Sequence, residues 1–129
     1  SNQYNILTRL KSGEVKIINK RNHFFSRIHI EDIANILSNS LTHLKKNEVY
    51  NISDDKPAPA EEVTMYGVKL LGVNRPKTIE INDIESKMLK DFYKDSKKVN
   101  NKKMKIFFNY KLKHPTYVEG LNYIFNNTF

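Results

Sequence analysis

The chain has 129 residues, a length that fits one modest domain with a core of its own. It carries a formal charge of +8 and no cysteine, which excludes a disulfide framework, a thiolate metal site and a cysteine nucleophile, and suits a reducing cytoplasm. No apolar run approaches the roughly 20 residues that span a bilayer, so the chain is expected to be soluble with no membrane partner.

The elements follow in order. Residues 3–11 predict a short amphipathic helix with Ile6, Leu7 and Leu10 on one side, closed by Gly13. Val15–Ile18 predicts a strand and Asn19–His23 a polar turn. Phe24–Ile30 predicts a second strand, whose alternation sets Phe25, Arg27 and His29 on one face. The next helix carries the stripe Ile33, Ile36, Leu37, Leu41 and Leu44, with Glu31 and Asp32 at its positive end.

"EVYNIS", Glu48–Ser53, predicts a short strand. Pro59, Glu61 and Glu62 open another helix with Val63, Tyr66, Gly67, Leu70 and Leu71 buried and Gly72 as its stop. "TIEI" predicts a strand, residues 83–95 a helix, and a last helical pair spans Asn100–Phe108 and Thr116–Asn126. The second of that pair begins with the capping box Thr116-x-x-Glu119. Strands alternating with helices, followed by a helical end, predict an α/β protein with a helical lobe packed on it.

The excess charge is local. Between Ile84 and Lys113 there are ten Lys against Glu85, Asp91 and Asp95. The basic residues are 18 Lys and 4 Arg, and the basic segment contains no Arg, the residue favoured for bidentate phosphate and base-edge contacts. A free-standing module binding nucleic acid through helices from Lys87 to Lys105 is therefore the rival reading rather than the first one. A non-catalytic interaction domain is a second rival.

Motifs of phosphate loops, zinc proteases and serine hydrolases are missing. His23, His29, His43 and His114 are scattered without metal-ligand spacing, and no metal site is expected. Tyr93 and Lys97 match the Tyr-x-x-x-Lys pattern of short-chain dehydrogenases. Two fixed positions are cheap to satisfy in a chain with so many Lys and 7 Tyr, and no phosphate loop precedes them, so the match is read as a coincidence.

Four stretches in order, "FFSRIHIEDIANIL", "EVYNISDDKPAPAEEVTMYGVKLLGV", "SKKVNNKKMK" and "YKLKHPTYVEGL", resemble the C-terminal part of the NAD-dependent epimerase/dehydratase family, the extended short-chain dehydrogenase/reductases. Within it the chain looks most like the atypical members described as nucleoside-diphosphate-sugar epimerases. The resemblance runs from about Ile6 to Leu121. It implies a fragment of a Rossmann-like parallel-sheet protein with a mostly helical C-terminal substrate lobe, residues 1–129 being that C-terminal part.

The family's Gly-rich pyrophosphate turn and its catalytic Tyr and Lys would then lie upstream of Ser1. NAD or NADP would belong to the full-length parent, with no catalytic residue and no cofactor site in this chain. "EVYNIS" would be one of the last parallel strands. An incomplete sheet would also leave the chain prone to self-association.

Where family members resemble "RDFVHVDD", with the first Arg on the substrate diphosphate, this chain reads "FSRIHIED" with Phe25 in that place. The resemblance implies a small-molecule substrate, nucleotide-sugar-like only if another cation replaces that Arg. Arg27 and His29 are the substrate-binding candidates, with Arg21 in the preceding turn as the alternative cation. Glu31 and Asp32 are read as structural, through capping of their helix.

Overall fold

The computed structural model describes residues 4–43, 45 and 47–129. Helix α1 (Ile6–Lys11) starts at Asn5, whose side chain accepts from the Leu7 and Thr8 backbone amides while Thr8 reciprocates toward the Asn5 amide, a capping box. Gln3, inside the predicted range, lies outside the described residues. Gly13 follows with φ of +75°, a value suited to glycine.

Strand β1 (Ile17–Asn19) pairs in parallel with β2 (Thr78–Glu80), Ile18 opposite Ile79, and these two strands form the sheet of the described residues. Between them lie α2 (Ile30–Ser40) and α3 (Ala60–Leu71). After β2 come a single 3-10 turn (Ile81–Asp83), α4 (Lys87–Phe92), α5 (Lys102–Phe107) and α6 (Tyr117–Thr128). The architecture is the expected mixture of α and β with a mostly helical C-terminal region.

Two predicted strands are not strands. The segment Phe24–Ile30, whose Ile30 already belongs to α2, pairs only at Phe25, in an antiparallel bridge to Ala58. Its other backbone groups are used elsewhere: the Phe24 amide donates to Ser96 Oγ (2.9 Å), the Phe24 carbonyl accepts from the Lys97 amide (3.0 Å), and the Arg27 carbonyl accepts from the Asp54 amide (2.6 Å). Residues 48–53 join no strand among the described residues, and two of their carbonyls take side chains instead, Val49 from Lys103 Nζ (3.0 Å) and Ser53 from Asn101 Nδ2 (2.8 Å). The predicted helix over 83–95 shortens to α4 because Ile84 leaves the 3-10 turn with extended backbone and is itself buried, and Ser86 caps the helix that follows.

Two apolar clusters hold the fold. Leu7, Ala58, Val63 and Leu121 form the first, with Tyr66, Leu70, Leu71 and Phe125 packed around them, so that α1, α3 and α6 converge. Gly67 makes that convergence possible: a Cβ there would lie 2.8 Å from Leu10 Cδ1 and 3.1 Å from Leu7 Cδ2. Ile36, Met104 and Leu112 form the second cluster, joining α2 to α5.

The predicted stripe of α2 is only half used. Ile36 is fully buried and Ile33 partly so, while Leu37 (53% exposed) and Leu41 (82% exposed) are uncovered among the described residues, as is Ile30 at the helix start. Leu44, the last residue of that stripe, lies outside the described residues.

Candidate functional site

An open cleft of about 910 Å³ runs between α1, β1, α3 and the segment 83–99. Its wall from the Phe24–Arg27 segment is aromatic and cationic. Phe25 stacks on Phe92 with ring centroids 4.5 Å apart and planes 7° from parallel, and Tyr93 meets Phe25 edge-on at 5.5 Å. His23, buried behind them, stacks on Tyr93 at 5.0 Å, and burial lowers its pKa below the ordinary imidazole value.

Arg27 lines this cleft, half-buried, its guanidinium 5.5 Å from the Phe25 ring centroid. Nη1 donates to the Ala58 carbonyl at 2.7 Å and the Phe25 carbonyl at 3.1 Å, locking the cation onto the bridge that joins the two segments. Close behind lies the buried side chain of Asp54, whose Oδ1 accepts from the Lys56 amide at 3.0 Å. Burial pushes the Asp54 carboxyl up to about 6, against the downward pull of the Lys56 amide and the Arg27 charge.

Tyr93 and Lys97 both face the cleft without forming a catalytic pair. The helix that would put them on one face ends at Phe92, Lys97 Nζ lies 3.4 Å from Asp95, and burial raises the Tyr93 phenol where a general acid/base needs it lowered.

The alternation that grouped Arg27 with His29 does not survive in space. Arg27 faces the cleft, whereas His29 sits outside its lining and caps α2, Nδ1 accepting from the Glu31 amide at 3.3 Å. Arg21 is exposed in its turn and also stands outside the lining.

Around His29 lies a second polar centre that local spacing in the sequence did not reveal. His114, buried, lies against His29 with ring centroids 3.9 Å apart and planes tilted by 41°. Its Nε2 lies 2.7 Å from Glu31 Oε2, a residue 83 positions away, and Lys113 Nζ lies 3.1 Å from the same oxygen. Tyr123 donates its hydroxyl to Glu31 Oε1 at 3.1 Å. These bonds, His114 first and Lys113 next, hold the Glu31 carboxyl down at about 2.

Asp32 organises the centre from below. Fully buried, it accepts from the Tyr110 hydroxyl (2.8 Å) and from the Lys113 and His114 amides (2.7 and 3.0 Å), fixing the backbone that presents His114. The expected structural role of Glu31 and Asp32 thus extends well beyond their own helix.

The lysine-rich segment is interleaved with acids. Lys94, Lys97, Lys103 and Lys105 pair with Asp91, Asp95, Glu48 and Asp55. Among the described residues no helix is long and apolar enough to cross a membrane.

The sequence matches no family model and no curated protein. Solved structures do match. The chain is similar to a functionally unknown conserved protein from Silicibacter pomeroyi DSS, with 33% identity, a TM-score of 0.87, and 94% of this chain covering 43% of that one. It is also similar to dTDP-glucose 4,6-dehydratase from Bacillus anthracis str. Ames, solved in complex with NAD, with 20% identity, a TM-score of 0.71, and 94% of this chain covering 36% of that one. The second likeness is one of fold. The chain therefore spans less than half the length of either protein.

Proposed function

We propose that this chain is the substrate-side, C-terminal part of an NAD(P)-dependent epimerase/dehydratase-like oxidoreductase. The other half of the polypeptide would hold the dinucleotide and carry the hydride and proton transfer. The observation that carries this reading is the apolar face left without a partner, Ile30, Leu37 and Leu41 along α2, together with residues 48–53, which join no strand among the described residues and leave Val49 80% exposed. A helix stripe at core spacing and an apolar segment without a strand partner are what an interrupted parallel sheet leaves behind. The coverage of about a third of a dehydratase solved with NAD supports the same division.

In this arrangement Arg27 is the cation of the substrate cleft that the aromatic wall holds in place, with Arg9, Lys16 and Lys97 also in the lining, and Phe25, Phe92 and Tyr93 supply apolar walls. A locked guanidinium suits a carboxylate, phosphate or polar oxygen of a small substrate.

Calorimetric titration tests the division of labour. NAD or NADP should give saturable heat with the full-length protein and none with residues 1–129 at millimolar cofactor. Arg27→Ala in the full-length protein should leave cofactor affinity unchanged, because the cation serves the substrate. Micromolar cofactor binding by residues 1–129 alone, or none by the full-length protein, would overturn the reading.

A further inference from the structure

The centre built on His29, Glu31 and His114 stands apart from the Arg27 cleft, and the proposed substrate role does not use it. One nitrogen from each imidazole and one carboxylate oxygen lie within 4.8 Å of one another. We propose that His29, Glu31 and His114 form a binding site for a first-row divalent metal ion, with zinc the best match and at least one coordination position open.

The donor set carries the argument first. Two imidazoles and a carboxylate are borderline and hard donors in the combination that zinc and its neighbours accept, and three protein ligands leave room for water or another ligand. Distances agree. A tetrahedral zinc with bonds of about 2.0 to 2.2 Å keeps its donor atoms about 3.4 Å apart. Here Glu31 Oε2 lies 2.7 Å from His114 Nε2 and 4.0 Å from His29 Nδ1, so shifts below an ångström on each side reach that spacing.

The supports are those of a held site. His29 Nδ1 is unprotonated, since it accepts a long hydrogen bond of 3.3 Å from the Glu31 amide, and a metal would take that lone pair over from the amide. Tyr123 holds Oε1 of Glu31 and leaves Oε2 as the inward ligand atom. Asp32 fixes the backbone at His114. The ring of His29 is in turn backed by Gly120, where a Cβ would come within 3.3 Å of His29 Cδ2.

Besides the Glu31 amide, two further features oppose the ion and set its affinity. The hydrogen that His114 Nε2 shares with Glu31 must leave that nitrogen, for Nδ1 or for solvent. Lys113 Nζ, 3.1 Å from Oε2, must move away, which its half-exposed side chain permits. Removing the Lys113 charge should therefore tighten the site, an outcome that a purely structural hydrogen-bond cluster would not produce.

The test is titration of Zn2+ into the protein, followed calorimetrically, with Co2+ as a spectroscopic probe. Wild type should bind one Zn2+, and the Co2+ form should show visible bands of a low-coordinate nitrogen and oxygen site. X-ray absorption on the zinc-loaded wild type should count two imidazoles, a readout independent of any variant's folding. Glu31→Gln should abolish saturable binding, and Lys113→Ala should tighten it on the order of fivefold, the effect of one nearby charge in a solvated site. His43→Ala should change nothing. Absence of saturable binding, unchanged affinity in both Glu31→Gln and Lys113→Ala, or fewer than two imidazoles around the zinc would overturn the proposal.

Discussion

Asp32→Ala should lower the stability of this chain by about 3 to 5 kcal/mol, the largest single-residue loss expected outside the apolar core. The carboxylate is fully buried and accepts three hydrogen bonds, two of them from backbone amides that have nowhere else to turn. Alanine would leave the Lys113 and His114 amides and the Tyr110 hydroxyl without their acceptor. It would also release the loop that closes Leu112 over Ile36 and Met104. Urea denaturation measures the loss, and the midpoint of thermal unfolding should fall by roughly 10 to 20 °C. Asn, which keeps one acceptor oxygen in place, should lose distinctly less. A loss below about 1 kcal/mol for Ala would mean that water replaces all three bonds.

Asp54→Asn should act in the opposite direction, and only at neutral pH. The buried carboxyl titrates at about 6 in the folded chain against an ordinary value of 3.8, so the fold binds its proton more tightly than the unfolded chain does. Its contribution is therefore favourable below the unfolded value and is lost as pH rises from about 4 through about 6. By pH 7 holding the carboxylate charged costs the fold about 2 to 3 kcal/mol, because each pH unit between the folded and unfolded values is worth about 1.4 kcal/mol. Asparagine keeps the oxygen that accepts from the Lys56 amide and carries no charge. The variant should exceed wild type in stability by about that amount at pH 7 and by little at pH 4. An advantage of equal size at both pH values would show that packing, rather than ionisation, separates the two side chains. The siting of this carboxyl behind Arg27 means that an anion bound in the cleft should raise its pKa further, by competing for the same cation.

What could be read from the sequence was local. α3 and α6 follow their caps closely, because Pro59 with two following acids and Thr116 with Glu119 act through neighbours on the chain. β1 and β2 lie within a residue or two of their apolar runs. Periodicity also chose the face of α2 correctly at Ile36, but spacing says only which side chains share a face, not whether anything covers them. Leu37 and Leu41 show the difference.

Pairing was invisible for the same reason. Phe24–Ile30 alternates as a strand does, and its backbone is nonetheless claimed by Ser96, Lys97 and Asp54, residues that no local pattern connects to it. The second polar centre shows the limit most clearly. Histidine is an uncommon helix cap, so His29 gave no start signal, and its partner His114 lies at the far end of the sequence. Arg27, by contrast, was singled out by the alternation of its segment and the resemblance together, and it lines the open cleft. The backbone then explains its position, since Nη1 is locked across the Phe25–Ala58 bridge.

Amide hydrogen exchange, compared between residues 1–129 and the full-length protein, tests most directly whether another half completes this fold. The account predicts that residues 48–53 exchange quickly in the isolated chain and become strongly protected in the full-length protein, with α2 gaining protection beside them as Ile30, Leu37 and Leu41 are covered. α6, whose Leu121 is already packed against α1 and α3, should differ little between the two. Equal protection of residues 48–53 in both would contradict it, because the exposed stripe and the unpaired segment would then be features of a complete surface.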